Sequence, residues 1–415
     1  MTQADGKAAP AGHPDGSGSP ATQPDGNGAR REPPRVLVVV GTRPEGIKLA
    51  PVAAALNARG DLDVRVALTG QHTDLLDQVL GVFHLEVDWD LNIMREGQDL
   101  FDVASGCLLG LRDVLRSWRP ELVLVQGDTA TVLFGALAAF FERCRVGHVE
   151  AGLRSGDRAR PFPEEVFRRL TGGVADLHFA PTARARDNLL REGVDATSIH
   201  LTGNTVVDAL ERVGAAEHTP SSAALRDALA TGRRLVLLTA HRRESFGAPL
   251  REALGAVRAL ADRHPDIEVL YPVHPNPNVS GPAREVLGEH PRIRLTAPLD
   301  YLDLVHALRA AALVLTDSGG IQEEAPSFGT PVLVLREVTE RPEGVAAGAA
   351  RLVGTDAALI GAAADAALRA PRGAAGGPNP YGDGRAAERI ADIVGHVLTG
   401  TPRTTEDWAA EVAAR

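Results

Sequence analysis

Short runs dominated by apolar residues recur along this chain, and most are followed by stretches in which apolar side chains return at helical spacing. The first is VLVVV at 36–40; Gly41 follows, and then a helical pattern through Ile47, Leu49 and Val52. The same strand, loop and helix unit predicts strands at 64–68, 122–126, 146–149, 177–180, 199–202, 235–239, 267–271, 313–316 and 332–335. Strands that are apolar at every position, rather than alternately, belong to parallel sheets covered on both faces. In such sheets ligands bind beyond the carboxyl ends of the strands.

The first sheet is expected to end near Thr205, which divides the chain into a domain at 35–205, a helical and polar linker at 206–232, and a domain at 233–383. A helix at 384–400 is placed to pack back on the first domain, and 401–415 is read as a tail. Residues 1–34 contain no Val, Ile, Leu, Phe, Trp or Tyr and repeat Pro-Asp-Gly, so they are expected to be disordered. The fold class that results is α/β, with two Rossmann-like domains and a cleft between them. A chain of 415 residues suits that division.

Composition narrows the functions available. Apolar residues make up 44% and charged residues 24%, and no apolar run approaches the roughly 20 residues of a membrane helix, so no membrane partner is expected. The net charge of −10 argues against a nucleic-acid partner, which would want a basic face. Cys107 and Cys144 fit neither a disulfide framework nor a metal-binding spacing. With no secretory signal pattern in the opening residues, a cytoplasmic location is the expectation.

The loops after the strands carry unusual residues. After 36–40, Arg43 and Lys48 bring positive charge to a helix start, which is either a solvated helix end or a phosphate site. Asp128 follows the third strand and Glu150 the fourth, and Glu164 and Glu165 open a helix beyond them. Any one of these acids could be a helix cap or a first-turn acid. Gathered at one sheet end, they would push one another's proton affinities apart and supply an acid and a base near neutral pH. In the second half His241 and His274 stand at strand ends, His241 beside Arg242 and Arg243. The run Ser318-Gly319-Gly320 precedes a helix and lets backbone N–H groups approach an anion; Glu324 lies a turn further on, and Arg341 offers another cation.

These blocks, including GTRPEGIKLAP, QGDTAT, GHVEAGLRSGD, PFPEE, AHRRES, YPVHPNPNV, DSGGIQEEAPSFGTPVLVLREVTERPEG and NPYGDG, resemble the non-hydrolysing UDP-N-acetylglucosamine 2-epimerases, in order and over about 36–385. The resemblance implies a glycosyltransferase-B-type arrangement. It also implies interconversion of UDP-N-acetylglucosamine and UDP-N-acetylmannosamine through elimination of UDP to 2-acetamidoglucal and re-addition, with no nicotinamide, metal or other cofactor, and a homodimer. Asp128, Glu150 and Glu164 match the family's catalytic carboxylates and His241 its essential histidine. Lys48 and Arg168 match positions near the sugar, Glu324 the ribose contact, and the segment from Leu299 to Leu304 the uracil region. Arg43, Ser318, Gly319, Gly320 and Arg341 suit the diphosphate, and His274 the substrate side. Phe167 departs from the Asn common beside that arginine. A related UDP-sugar as substrate, or a retaining glycosyltransferase of the same architecture, are the alternative readings.

Overall fold

The computed structural model describes residues 32–70, 80–93, 95, 97–159, 161–215, 218–371 and 377–409. The expected disorder of 1–34 falls almost wholly outside these residues. From Pro33 onward the chain forms one compact unit built on two parallel sheets.

The first sheet contains β1 (Arg35–Val40), β2 (Asp63–Leu68), β3 (Trp89–Asp90), β4 (Leu122–Gln126), β5 (Arg145–Val149), β6 (Leu177–Ala180) and β7 (Ile199–Leu201), in the order β3-β2-β1-β4-β5-β6-β7. The second contains β8 (Arg234–Thr239), β9 (Ile267–Pro272), β10 (Ile293–Thr296), β11 (Ala311–Thr316), β12 (Val332–Val334) and β13 (Ala350–Leu352), in the order β10-β9-β8-β11-β12-β13. Every recorded strand pairing is parallel. The order reverses beside β1 in one sheet and beside β8 in the other, and the loops after these strands therefore open into the crevice where such sheets take ligands.

The apolar strands are buried on both faces. Val36, Val38 and Val40 pack on one side of the first sheet, while Leu37 and Val39 pack on the other. In the second sheet Val236 and Leu238 face one core, and Leu235 and Leu237 the other. Three strands escape the sequence pattern: β3, β10 and β13. All three are edge strands, are short, and include polar or half-exposed positions, so no continuous apolar run marks them.

The two sheets are tied together covalently and by packing. The helix Ala386–Thr399 follows the second sheet yet buries Ile390, Ala391 and Val394 in the core of the first, against Val36, Leu49 and Val52. Its free N-terminal amides are satisfied from the first half: Ala387 N donates to Asp208 Oδ1 at 2.7 Å and Ala386 N to Oδ2 at 3.2 Å. The stretch read as a tail from residue 401 is packed at its start. Trp408 is buried, and its N–H donates to the Leu201 carbonyl at 2.7 Å.

Candidate active site

The helix Arg43–Arg59 begins directly after β1. Thr42 and Glu45 form a capping box, and the Glu45 carboxylate also accepts from Gly41 N at 2.6 Å and from Thr129 Oγ1 at 2.6 Å. Burial pushes Glu45 up to about 7, against the lowering effect of these donors. Gly41 is needed for close approach, because a Cβ there would lie 2.2 Å from Thr131 Oγ1. This loop is thus locked to the start of the helix after β4.

That locked helix delivers Lys48 across the crevice. Its ammonium sits 2.9 Å from Glu150 Oε1 and 3.2 Å from Glu323 Oε2, so it bridges the loop after β5 to the helix after β11. Arg341 closes the same circuit: Nε donates to Glu323 Oε1, and Nη2 lies 3.8 Å from Glu150 Oε1. Burial opposes the charge on Lys48 and on Arg341, but the two carboxylates outweigh it and raise both cations. Glu150 in turn is held well below the usual carboxylate range, because Lys48, Arg168 and Arg341 together overcome its burial. Its backbone adopts φ 63°, a left-handed conformation costly for a residue with a Cβ, which turns the side chain off the strand end toward Gln126 and Lys48.

Asp128 does not cap the adjacent helix. Thr129 occupies the cap position, and Asp128 Oδ2 accepts from Arg168 Nη2 at 2.7 Å. Arg168 also donates to the Glu150 carbonyl, which joins the two acids of neighbouring strand ends through one guanidinium. Glu164 opens the helix Glu164–Gly172 four residues before Arg168 and so shares its face. The two adjacent glutamates are separated by their partners. Glu165 is consumed by the chain, accepting from Ser155 N at 2.9 Å and from Arg169, whereas Glu164 Oε2 is buried with no hydrogen-bond partner among the described residues. Phe167 sets its ring edge-on to Phe134, with centroids 5.9 Å apart.

On the other wall, Ser318 stands at the N-cap position of the short helix Gly319–Glu324 without a capping bond from its side chain. A Cβ on Gly319 would lie 3.9 Å from guanidinium atoms of both Arg242 and Arg341, so two cations flank this helix start. Glu324 is pushed up to about 7 by burial, with Glu323 adding to the shift and Lys48 and Arg43 opposing it. Its Oε2 and the hydroxyl of the buried Tyr301 both lack partners among the described residues, as does Arg242 Nε. His241 stacks on His274, with ring centroids 5.8 Å apart and planes inclined by 12°, and its N–H donates to Asp317 Oδ2 at 2.7 Å.

Lys48, Asp128, Glu150, Arg168 and Arg341 therefore share one network, while Arg43 acts on Glu324 through its charge. Leu299 and Leu304 are placed differently: Leu299 is a buried core side chain and Leu304, half-buried, packs on that core. Glu323 and Asp317 belong to the site without having been singled out by sequence. Both sit inside the DSGGIQEE block, and the signal that could have found them was the density of acids there. No helix among the described residues is long and apolar enough to cross a membrane.

Two parallel sheets meeting at their ligand-binding ends, with paired acids on one wall and flanking cations on the other, define an α/β enzyme cleft of glycosyltransferase-B type. The sequence profile described as UDP-N-acetylglucosamine 2-epimerase matches residues 54–395. The chain is 46% identical over 361 residues to the UDP-N-acetylglucosamine 2-epimerase of Bacillus subtilis, covering 86% of this chain and 94% of that one. It is 47% identical over 370 residues to the enzyme of the same name from Escherichia coli, covering 87% and 98%. Among solved structures, the UDP-GlcNAc 2-epimerase of Neisseria meningitidis bound to UDP-GlcNAc superposes with a TM-score of 0.80 at 40% identity, covering 87% of this chain and 99% of that one. The chain belongs to the UDP-N-acetylglucosamine 2-epimerase family.

The geometry of Glu45 yields a test of this wall of the site. A carboxyl whose folded pKa is raised stabilises the fold below its unfolded value of 4.5, and that contribution is lost as pH climbs toward about 7. Glu45→Gln should remove this slope, so the stability difference between variant and wild type should move in the variant's favour between these pH values. The shift should be on the order of 3 kcal/mol. Urea denaturation across the range measures it; a difference independent of pH would show that Glu45 does not titrate there.

Proposed function

We propose that this protein interconverts UDP-N-acetylglucosamine and UDP-N-acetylmannosamine without hydrolysing either. The observation that carries this reading is the opposition of two walls: Asp128, Glu150 and Glu164 on one, and Arg341, Arg242 and the Ser318–Gly320 helix start on the other, linked by Lys48. Inversion at C2 requires proton transfer on both faces of that carbon, and the C2 hydrogen is not acidic. Elimination of UDP across C1–C2 avoids a discrete carbanion, and re-addition of UDP with proton delivery to the opposite face completes the inversion.

In this reading the acids take the proton steps. Asp128 and Glu150 are fixed by Arg168, and Glu164 keeps an unpartnered oxygen available. Arg43, Arg341, Ser318 and the N–H groups of Gly319 and Gly320 meet the diphosphate, whose charge grows as the C1–O bond breaks, while Lys48 and Arg168 stand on the sugar side; donors aimed at the growing charge favour the transition state. Glu324 accepts from ribose hydroxyls, the backbone near Leu299 borders the uracil, and His241 and His274 stand on the substrate side. A retaining glycosyltransferase of the same architecture would have little use for three acids on the opposing wall.

The enzyme acts as a homodimer in this proposal. The helices Leu100–Trp118 and Ala130–Phe141 leave large apolar side chains exposed, Phe101 and Leu109 on the first and Phe140 and Phe141 at the end of the second, surface of the kind that a second copy buries. A cytoplasmic location is proposed with it, where sugar nucleotides are at hand and thiols such as Cys107 and Cys144 stay free.

Four outcomes are expected. Incubation with UDP-N-acetylglucosamine should yield UDP-N-acetylmannosamine and no free sugar by chromatography; free N-acetylmannosamine would instead mark a hydrolase. Asp128→Asn should lower turnover at least ~100-fold while leaving UDP affinity intact, and Arg341→Ala should weaken UDP binding by calorimetry. Full turnover in the first or unchanged affinity in the second would remove that residue from its role. Sedimentation equilibrium should give a dimer that Phe140→Glu dissociates, and a monomeric wild type would refute the assembly.

A further inference from the structure

His241 is exposed to the crevice over 39% of its side chain, but the group behind it is almost wholly buried: Asp317 is 1% exposed. The two meet because β8 and β11 are neighbours with Thr239 opposite Thr316. Those two threonines share a hydrogen bond of 2.6 Å between their hydroxyls, and Asp317 N donates to the Thr239 carbonyl at 3.1 Å, which aligns the strand ends. One step further, Asp317 Oδ2 accepts from His241 N at 2.7 Å and from Arg242 N at 2.8 Å. This oxygen fixes the backbone on which the imidazole stands.

The other oxygen is the informative one. Asp317 Oδ1 is buried without a hydrogen bond among the described residues, and His241 Nδ1 lies 3.3 Å from it. An unsatisfied buried acceptor is costly. If Nδ1 carries the hydrogen, a small ring rotation satisfies Oδ1; if Nε2 carries it, two lone pairs face each other. Which imidazole nitrogen is protonated is set by the hydrogen bond the other can make. The groups facing the ring are Asp317 behind, Arg242 on its own loop and His274 stacked from the loop after β9.

We infer that Asp317 is a positioning residue that holds His241 as the Nδ1–H tautomer, so that Nε2 is the atom presented to the nucleotide-sugar. This rests on the reading that His241 faces substrate. Nε2 then carries a lone pair that accepts a hydrogen bond or a proton from the bound molecule, and Asp317 offsets the charge that the ring gains. Burial keeps the free ring below its ordinary pKa, with Arg242 and His274 acting in the same sense and Asp317 against them, so the ring rests neutral and the tautomer decides what it can do.

The test reads the tautomer directly. Nitrogen-15 NMR of the intact enzyme labelled at histidine, at pH 8, with the His241 signals assigned by their loss in His241→Gln, should show a protonated Nδ1 and an unprotonated Nε2. Asp317→Asn keeps an amide oxygen for the two backbone N–H groups but turns an NH2 toward Nδ1, which should invert the pattern. Turnover should fall by roughly 10²- to 10⁴-fold, with UDP affinity by calorimetry within about threefold of wild type, as expected when a catalytic imidazole is held in the wrong tautomer. An Nε2–H tautomer in wild type, or the same tautomer in both proteins, would overturn the inference. If Asp317→Asn fails to fold, the wild-type spectrum alone decides. The proposed reaction could fail its own assay while this spectrum stands, so the two claims fall separately.

Discussion

Two cations and two carboxylates, one of each from either half of the molecule, share a buried meeting point. Lys48 and Glu150 come from the first sheet, Arg341 and Glu323 from the second, and each cation lies within 4 Å of both acids. Charges removed from water are tolerated only when paired with good geometry, and removing one member leaves the others uncompensated. The remaining architecture serves to bring these four groups together. The Glu45 cap fixes the helix that carries Lys48, the strained backbone of Glu150 aims its carboxylate, and the Asn379–Tyr381 loop braces the opposite pair. In that loop Asn379 donates to the Glu323 carbonyl at 3.0 Å and the Tyr381 hydroxyl to the Arg341 carbonyl at 3.0 Å.

This arrangement also explains how a cleft in an acidic protein can receive a diphosphate. The chain as a whole carries a formal −10, but the anion would meet Arg341, Arg242 and a helix start, with Arg43 at the start of the helix after β1. The acids that would repel it are already neutralised by Lys48 and Arg168. Polar atoms left without partners among the described residues, on Glu164, Glu324, Tyr301 and Arg242, lie in the same region, where ligand hydroxyls and phosphate oxygens could satisfy them. Folding thus leaves unmet hydrogen-bonding capacity where the proposed substrate would supply it.

Much of this was legible in the sequence because parallel strands buried on both faces announce themselves as runs in which apolar residues dominate without strict alternation. The acids and cations just beyond those runs were legible for the same reason: in this architecture position after a strand is position in the cleft. What could not be read was pairing. Nothing in Pro-Glu-Glu distinguishes Glu164 from Glu165; only the fold shows that Glu165 holds Ser155 and Gly156. Leu299 belonged to a segment expected beside the base, but a side chain's inward or outward turn depends on tertiary packing. The short strands β3, β10 and β13 gain their pairing from neighbours rather than from apolar content. Glu323 and Asp317 were visible as letters, yet their roles depend on residues far away in sequence, Lys48 for one and His241 for the other.

In the proposed reaction the crevice breaks and remakes the bond to hydrogen at C2 of a UDP-linked amino sugar. Proton NMR of the purified enzyme with UDP-N-acetylglucosamine in deuterated water measures this most directly, by following the C2 hydrogen and the anomeric signals together. The expected result is UDP-N-acetylmannosamine with deuterium at C2, exchange of solvent deuterium into the remaining UDP-N-acetylglucosamine, and no free sugar. An epimer formed with its original C2 hydrogen retained, or no exchange and no new anomeric signal, would contradict it.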